Sequence, residues 1–164
     1  MFSKCLLLKL YKTFVLPHIN YCNAVWGTAA PSVLRPLFIS QKRALKIALN
    51  LHRRTSSTIV FATAKVLSLE SLNKLQTNIF MYKYLNEMLP TKFCSKFLCN
   101  RDVHKYDTRQ SNIYHVPKPR IEIMKQSISY RGPVLWNNLP LKIQQAGTLS
   151  CFKSYLKSYL CEKI

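Results

Sequence analysis

Apolar residues recur at helical spacing along most of this chain, and the pattern is cleanest between residues 69 and 85. There Leu69, Leu72, Leu75, Ile79, Tyr82 and Leu85 fall three or four positions apart, and Pro90 ends the segment. Ser68 stands ahead of them as an N-cap, and Glu70 sits in the first turn near the positive dipole end. Residues 3–15 also predict a helix: Cys5, Leu6, Leu8, Leu10, Tyr11 and Phe14 form a broad apolar surface, with Lys9, Lys12 and Thr13 opposite. Pro17 suits the first turn of a second helix through Ile19, Tyr21, Cys22, Val25 and Trp26, stopped at Gly27. A connector over 28–32 follows. A third helix is expected to begin near Pro36 and run to about Leu51, with Leu34, Leu37, Phe38, Leu45, Ala48 and Leu49 on its core side. A short element is expected over 58–66, and one more turn around Phe93, Phe97 and Leu98.

The pattern weakens at Asn100. From there to Gln126 the chain is polar and interrupted by Pro117 and Pro119, with short extended runs expected at 113–116 and 121–124. Order returns over 127–139, helical beyond Pro133. Thr148 caps a final helix that buries Phe152, Tyr155, Leu156, Tyr159 and Leu160. Only three glycines occur in 164 residues, too few for many tight hairpins, which favours helix over sheet. The expected fold is mainly α: a helical lobe over 1–99 and a smaller, partly irregular basic region over 100–164 that ends in a helix.

Charge changes the picture most. Twenty-five Lys and Arg face six Asp and Glu, a formal charge of +19. Such a surface attracts a polyanion, because neutralising phosphates releases condensed counterions. The shortage of acids also leaves little with which to hold Mg²⁺ or run paired-carboxylate chemistry. Hydrophobic content of 48% is too high for a disordered chain. No run reaches the ~18 apolar residues of a membrane span. The apolar start resembles a signal peptide only superficially, since Lys9 and Lys12 break it and no small-residue cleavage site follows. Six cysteines without secretory context read as free thiols, which points to the nucleus or cytoplasm.

The placement of the cations is informative. At 100° per residue Arg35, Lys42, Lys46 and Arg53 fall within about 40° of one another if the third helix extends that far, and Arg43 and Arg54 flank them. No acid precedes Glu70, so none lies nearby in sequence to pair with this row. Such a helix face holds a nucleic-acid backbone without reading bases, although a solvated surface face is the alternative. A second basic stretch, 101–131, contains Lys105, Arg109, Lys118, Arg120, Lys125 and Arg131 with Tyr106, Tyr114 and Tyr130. Aromatics between cations can stack exposed bases or simply pack.

Other chemistry fails on spacing. Cys94, Cys99, His104 and His115 lack the close cysteine pair and second ligand pair of known zinc sites, so no metal is expected. No Cys/His nucleophile arrangement, phosphate-cradling P-loop or dinucleotide-binding glycine motif occurs, and no cofactor is expected.

Four strings carry a more specific signal: LYKTFVLPHINYCNAVWG at 10–27, QKRALKI at 41–47, YDTRQ at 106–110 and SISYRGPVLWNNLP at 127–140. Their order and spacing resemble the C-terminal portion of the reverse transcriptases of non-LTR, LINE-like retrotransposons of the jockey and related groups, over nearly the whole chain. The resemblance implies a helical, thumb-like bundle with the segment after it, lying along a template–primer duplex. It also implies a neighbouring palm domain as partner, and it places Arg109 and Arg131 inside matching motifs as further contact residues. The family's palm binds two Mg²⁺ through an aspartate pair and a third aspartate. None of these positions exists in this chain, so no polymerase activity is expected of it alone. The rival expectations are a truncated fossil without a role and a helical protein-interaction module.

Overall fold

The computed structural model describes residues 2–93, 95–103, 106 and 109–162. The fold is mainly helical, as the periodicity predicts, and no sheet forms among the described residues. The chain divides into two compact units, residues 1–76 with 156–164, and residues 77–155. The composition change at Asn100 falls inside the second unit. Packing, not composition, sets the division, because side chains from 80–84 join those of 93–152 in one core.

In the first unit, α1 (Lys4–Leu10) runs through a π turn (Tyr11–Val15) into α2 (Leu16–Asn20). The expected break at Pro17 does not occur. Pro17 cannot donate to the carbonyl of Thr13 and would crowd it. The wider turn ahead, closed by the Leu16 N–H on the Tyr11 carbonyl, lets the helix continue. The break comes at Tyr21 and Cys22, where Cys22 takes a left-handed conformation (φ 48°). The Trp26 indole N–H donates to the Tyr21 carbonyl at 2.7 Å and fixes that corner. A short α3 (Asn23–Trp26) follows.

The next helix, α4 (Pro31–Leu49), starts five residues earlier than expected, with Pro31 in its first turn and Pro36 inside it. It packs on α1, the π turn and α5 (Ser57–Ala64). Their shared core is Tyr11, Leu45, Leu49, Val60, Phe61, Ala64 and Val66, with Phe38 stacked on Phe61 at 5.8 Å. The predicted core side of α4 is therefore the one that packs. By contrast, only Tyr11 of the predicted apolar surface of 3–15 is buried; Cys5, Leu6, Leu10 and Phe14 are exposed.

Buried amides tie this unit together across long separations in sequence. The Gln41 amide, 1% exposed, donates to the Tyr11 hydroxyl and the Leu67 carbonyl, both at 3.1 Å. Burial raises the Tyr11 pKa above its usual value, partly offset by the Gln41 bond. The Asn73 amide donates to the Gly27 carbonyl at 3.2 Å. At Gly27 an added Cβ would lie 2.5 Å from the Asn23 carbonyl and 2.8 Å from the Asn73 Oδ1, so only glycine fits.

The long α6 (Leu69–Leu85) begins on the Ser68 cap, whose Oγ accepts the Ser71 N–H at 3.3 Å. Its C-terminal part belongs to the second unit, whose core is aromatic. Tyr84 meets Phe97 edge-on at 4.8 Å, Phe97 meets Tyr114 at 6.3 Å, and Phe80 touches both Phe93 and Phe97. After a 3₁₀ turn (Thr91–Phe93), α7 (Asn100–Val103) and α8 (Glu122–Lys125) are single turns. The extended run expected at 121–124 is thus helical, with Lys125 paired to Glu122 at 2.7 Å. The run at 113–116 makes one bridge, Tyr114 with Cys99.

Helix α9 (Ile128–Asn137) carries Pro133 in its interior instead of starting there. Gly132 beside it packs so closely that an added Cβ would sit 2.7 Å from the Met81 sulfur. After α10 (Leu141–Gln144) comes α11 (Leu149–Glu162), capped as expected by Thr148. Phe152, Leu156 and Leu160 are buried, but Tyr155 is exposed. Phe152 stacks on Tyr82 at 4.5 Å and on Trp136 at 5.7 Å. Helices α4, α5 and α6 close on left-handed Asn50, Lys65 and Glu87 instead of glycine.

Candidate nucleic-acid interface

Six of the eight predicted contact residues lie in the first unit, on α4 and the turn after it. Helix α4 stops at Asn50, whose N–H returns to the Ile47 carbonyl while the Leu51 N–H reaches the Lys46 carbonyl. Arg53 and Arg54 are therefore on an exposed turn and do not extend the helical row. That corrects the four-residue stripe: the left-handed Asn50 reverses the chain before Arg53. The turn is tied back by the Lys46 ammonium, which donates to the Arg53 carbonyl at 2.6 Å. Lys46, Arg53 and Arg54 form a basic knot at the C-terminal end of α4, where the helix dipole favours cations.

The remaining cations divide by angle. Counted at 100° per residue, buried Leu45 and Gln41 lie about 80° and 120° to one side of Arg35, and Arg43 lies about 80° to the other. Arg35 and Arg43 are exposed, whereas Lys42 and Lys46 are half-buried at the margin of the packed face. Lys42 lies over the Phe38 ring, 5.8 Å from its centroid, one helical turn away. The ion pairs among the described residues are Lys74 with Glu70, Arg101 with Asp102 and Lys125 with Glu122. None engages Arg35, Lys42, Arg43, Arg53 or Arg54. Ile47, 73% exposed, and Val33 share the outward side of α4 with Arg43, a feature the cation spacing did not indicate.

Arg109 and Arg131 belong to the second unit. Arg109 is exposed on a turn, and Arg131 is half-buried in α9 next to the tightly packed Gly132. The aromatic and basic stretch resolves by residue. Tyr114 is buried among Tyr84 and Phe97, and that burial pushes its hydroxyl up to about 12. Tyr130 is half-buried, and Tyr106 is 82% exposed. Three of the four strings singled out in the sequence supply framework residues: Tyr11, Gly27, Gln41, Gly132 and Trp136 are all packed inside.

Of the zinc candidates, Cys94 and His104 lie outside the described residues. Cys99 is a free thiol, and His115 Nδ1 sits 3.2 Å from the Asn100 Oδ1. Among the described residues no three His, Cys, Asp or Glu side chains gather to hold a metal. None of the described helices is long and apolar enough to cross a membrane. No protein-family model matches the chain, and neither the curated proteins nor the solved structures compared with it give a match.

Proposed function

We propose that this chain holds a nucleic-acid duplex, an RNA–DNA hybrid or similar, by its phosphates and without sequence preference. In this reading it is the thumb and post-thumb part of a non-LTR retrotransposon reverse transcriptase, working in the nucleus or cytoplasm. The observation that carries the proposal is the set of exposed cations Arg35, Arg43, Arg53 and Arg54 on and beside α4, which no carboxylate among the described residues engages. Phosphate contacts of this kind fix position and leave base identity unread. The 164 residues contain no counterpart of the palm's metal-binding aspartates. In this reading these residues position a template–primer, and nucleotidyl transfer belongs to a palm outside the 164 residues. Binding of a labelled hybrid, followed by anisotropy from 50 to 300 mM salt, tests this. Four contacts give a slope of roughly −3 to −4 in log K against log salt; a salt-independent affinity rejects the proposal.

A second reading has its own support. Phe2, Leu6, Leu10 and Phe14 recur every four residues and are 73%, 41%, 40% and 66% exposed. Such a row suits a protein partner, a palm or another helical surface. Pull-down that survives nuclease treatment favours this protein-interaction role.

A further inference from the structure

The sequence contains one Arg-Arg pair, Arg53-Arg54, and Ser56 stands two positions after it in the string HRRTSST at 52–58. Protein kinases that prefer basic substrates carry acidic pockets for arginines two and three positions before the acceptor hydroxyl. That spacing selects Ser56. The structure makes it reachable: Arg53, Arg54 and Ser56 are exposed and lie between α4 and α5, outside both helices. Ser56 itself is extended, at φ −62° and ψ 154°. The turn ahead of it is held by the Thr55 N–H on the His52 carbonyl at 3.0 Å and the Arg54 N–H on His52 Nδ1 at 3.2 Å. A surface turn of this kind opens into a kinase cleft without unfolding its flanking helices. Neighbouring and distant hydroxyls fit less well. Thr55 and Ser57 are half-buried, and Thr58 lies within α5. Ser154 and Ser158 are exposed and follow Lys153 and Lys157, but they sit inside α11, whose backbone is closed by helical bonds.

The Ser56 hydroxyl can give up its proton at little structural cost. Its Oγ accepts the Ile59 N–H at 3.5 Å and lies 3.0 Å from Thr58 Oγ1, which can act as the donor in that pair. The surroundings decide what a phosphate there does. Arg53 and Arg54 belong to the basic knot at the end of α4, with the Lys46 ammonium 2.6 Å from the Arg53 carbonyl. Phosphoserine brings a charge of about −1.5 to −2 at pH 7 and three strong acceptor oxygens. These oxygens compete with a duplex phosphate for the same guanidinium groups, and they win by being tethered.

We propose that Ser56 is a phosphorylation site for a basic-directed serine/threonine kinase, and that its phosphate occupies Arg53 and Arg54 and weakens the grip on nucleic acid. In the step, Ser56 Oγ bonds to the γ-phosphorus of ATP while the bond from that phosphorus to the β–γ bridging oxygen breaks. ADP leaves, and the hydroxyl proton passes to the kinase's base. The site stands on its sequence and exposure, whereas its effect rests on the nucleic-acid reading, so the two can fail separately. The test incubates the full chain with the catalytic subunit of cAMP-dependent protein kinase and Mg-ATP. The intact mass should gain one phosphoryl group, and fragmentation should place it on Ser56. Ser56→Asn keeps a capping side chain and should take none; Arg53→Ala with Arg54→Ala should lose most of the transfer. No transfer, or transfer that persists in Ser56→Asn or is undiminished in the double-arginine variant, overturns the site. Hybrid binding over the same salt range then reads the effect. The phosphorylated chain should give a slope shallower by roughly 2, one per arginine engaged, and Ser56→Asn an unchanged slope. An unchanged slope after full phosphorylation, or a lower melting temperature that explains the loss by unfolding, overturns the effect. If the unmodified chain binds without salt dependence, the duplex-holding role and the effect fall together, and the mass result alone decides the site.

Discussion

The two compact units solve the same problem, holding short helices together with little glycine and little acid, by different means. The first has one stacked ring pair in its central cluster and is tied by amides reaching across 26 to 46 residues, Gln41 to Leu67 and Tyr11, and Asn73 to Gly27. The second is knitted by rings, with Phe97 meeting Phe80, Tyr84 and Tyr114, and Phe152 between Tyr82 and Trp136. The difference matters for function. In the first unit polar side chains are spent inside, and none of the ion pairs among the described residues engages the cations on and beside α4, the unit's own pair being Lys74 with Glu70. In the second, three of the four acids in its sequence are followed or preceded closely by Lys or Arg.

Substitutions can break this contrast, and the largest effect is expected in the ring cluster. Phe97→Ala removes the ring that three others touch and should cost about 3–5 kcal/mol. Hydrogen exchange should show protection lost first across residues 77–155. Gly27→Ala is the matching probe of the first unit. Its Cβ meets backbone at 2.5 Å, so overpacking should cost about 1–3 kcal/mol, with protection lost first around residues 20–30 and 73. If both variants lose protection in the same segments, the two-unit contrast is wrong.

A subtler probe is pH. Tyr114, raised from its usual 10 to about 12 by burial, favours the folded state fully below pH 10. As pH rises from 10 through 12 the unfolded phenol ionises first, and up to about 3 kcal/mol of stability is lost. Melting curves from pH 9 to 12 should therefore fall less steeply for Tyr114→Phe than for the natural chain; superimposable slopes would refute the buried phenol. The smallest effect is a gain. Lys65 closes α5 at φ 50°, and Lys65→Gly should stabilise by about 0.5–1 kcal/mol, read as a higher melting temperature.

Local periodicity was enough to read α6, the packed side of α4 and the caps at Ser68 and Thr148, because each depends on residues a turn or two apart, while 58–66 was legible only as a short element of unspecified type where α5 lies. The prolines misled for a related reason. Pro17, Pro36 and Pro133 look like boundaries, but tertiary packing carries helix through all three, helped at Pro17 by the π turn. The roles of Gln41, Asn73 and Gly27 were not readable, since their partners lie far away in sequence. Nor was the exposure of Leu6, Leu10 and Phe14, whose spacing alone is that of a core face. On the candidate interface, the cations of α4 were visible, but the reversal at Asn50 that removes Arg53 from the row was not. Tyr106, Tyr114 and Tyr130 read alike in sequence, and only burial separates them.

The central claim is that the unpaired cations on and beside α4 grip phosphates. The most direct measurement compares the salt dependence of hybrid binding for the natural chain and a variant carrying Arg35→Ala, Arg43→Ala and Arg53→Ala, all at exposed positions. The expected result is a slope shallower by roughly 3, about 1 per contact removed, at unchanged melting temperature. An unaltered slope in a folded variant would contradict the claim.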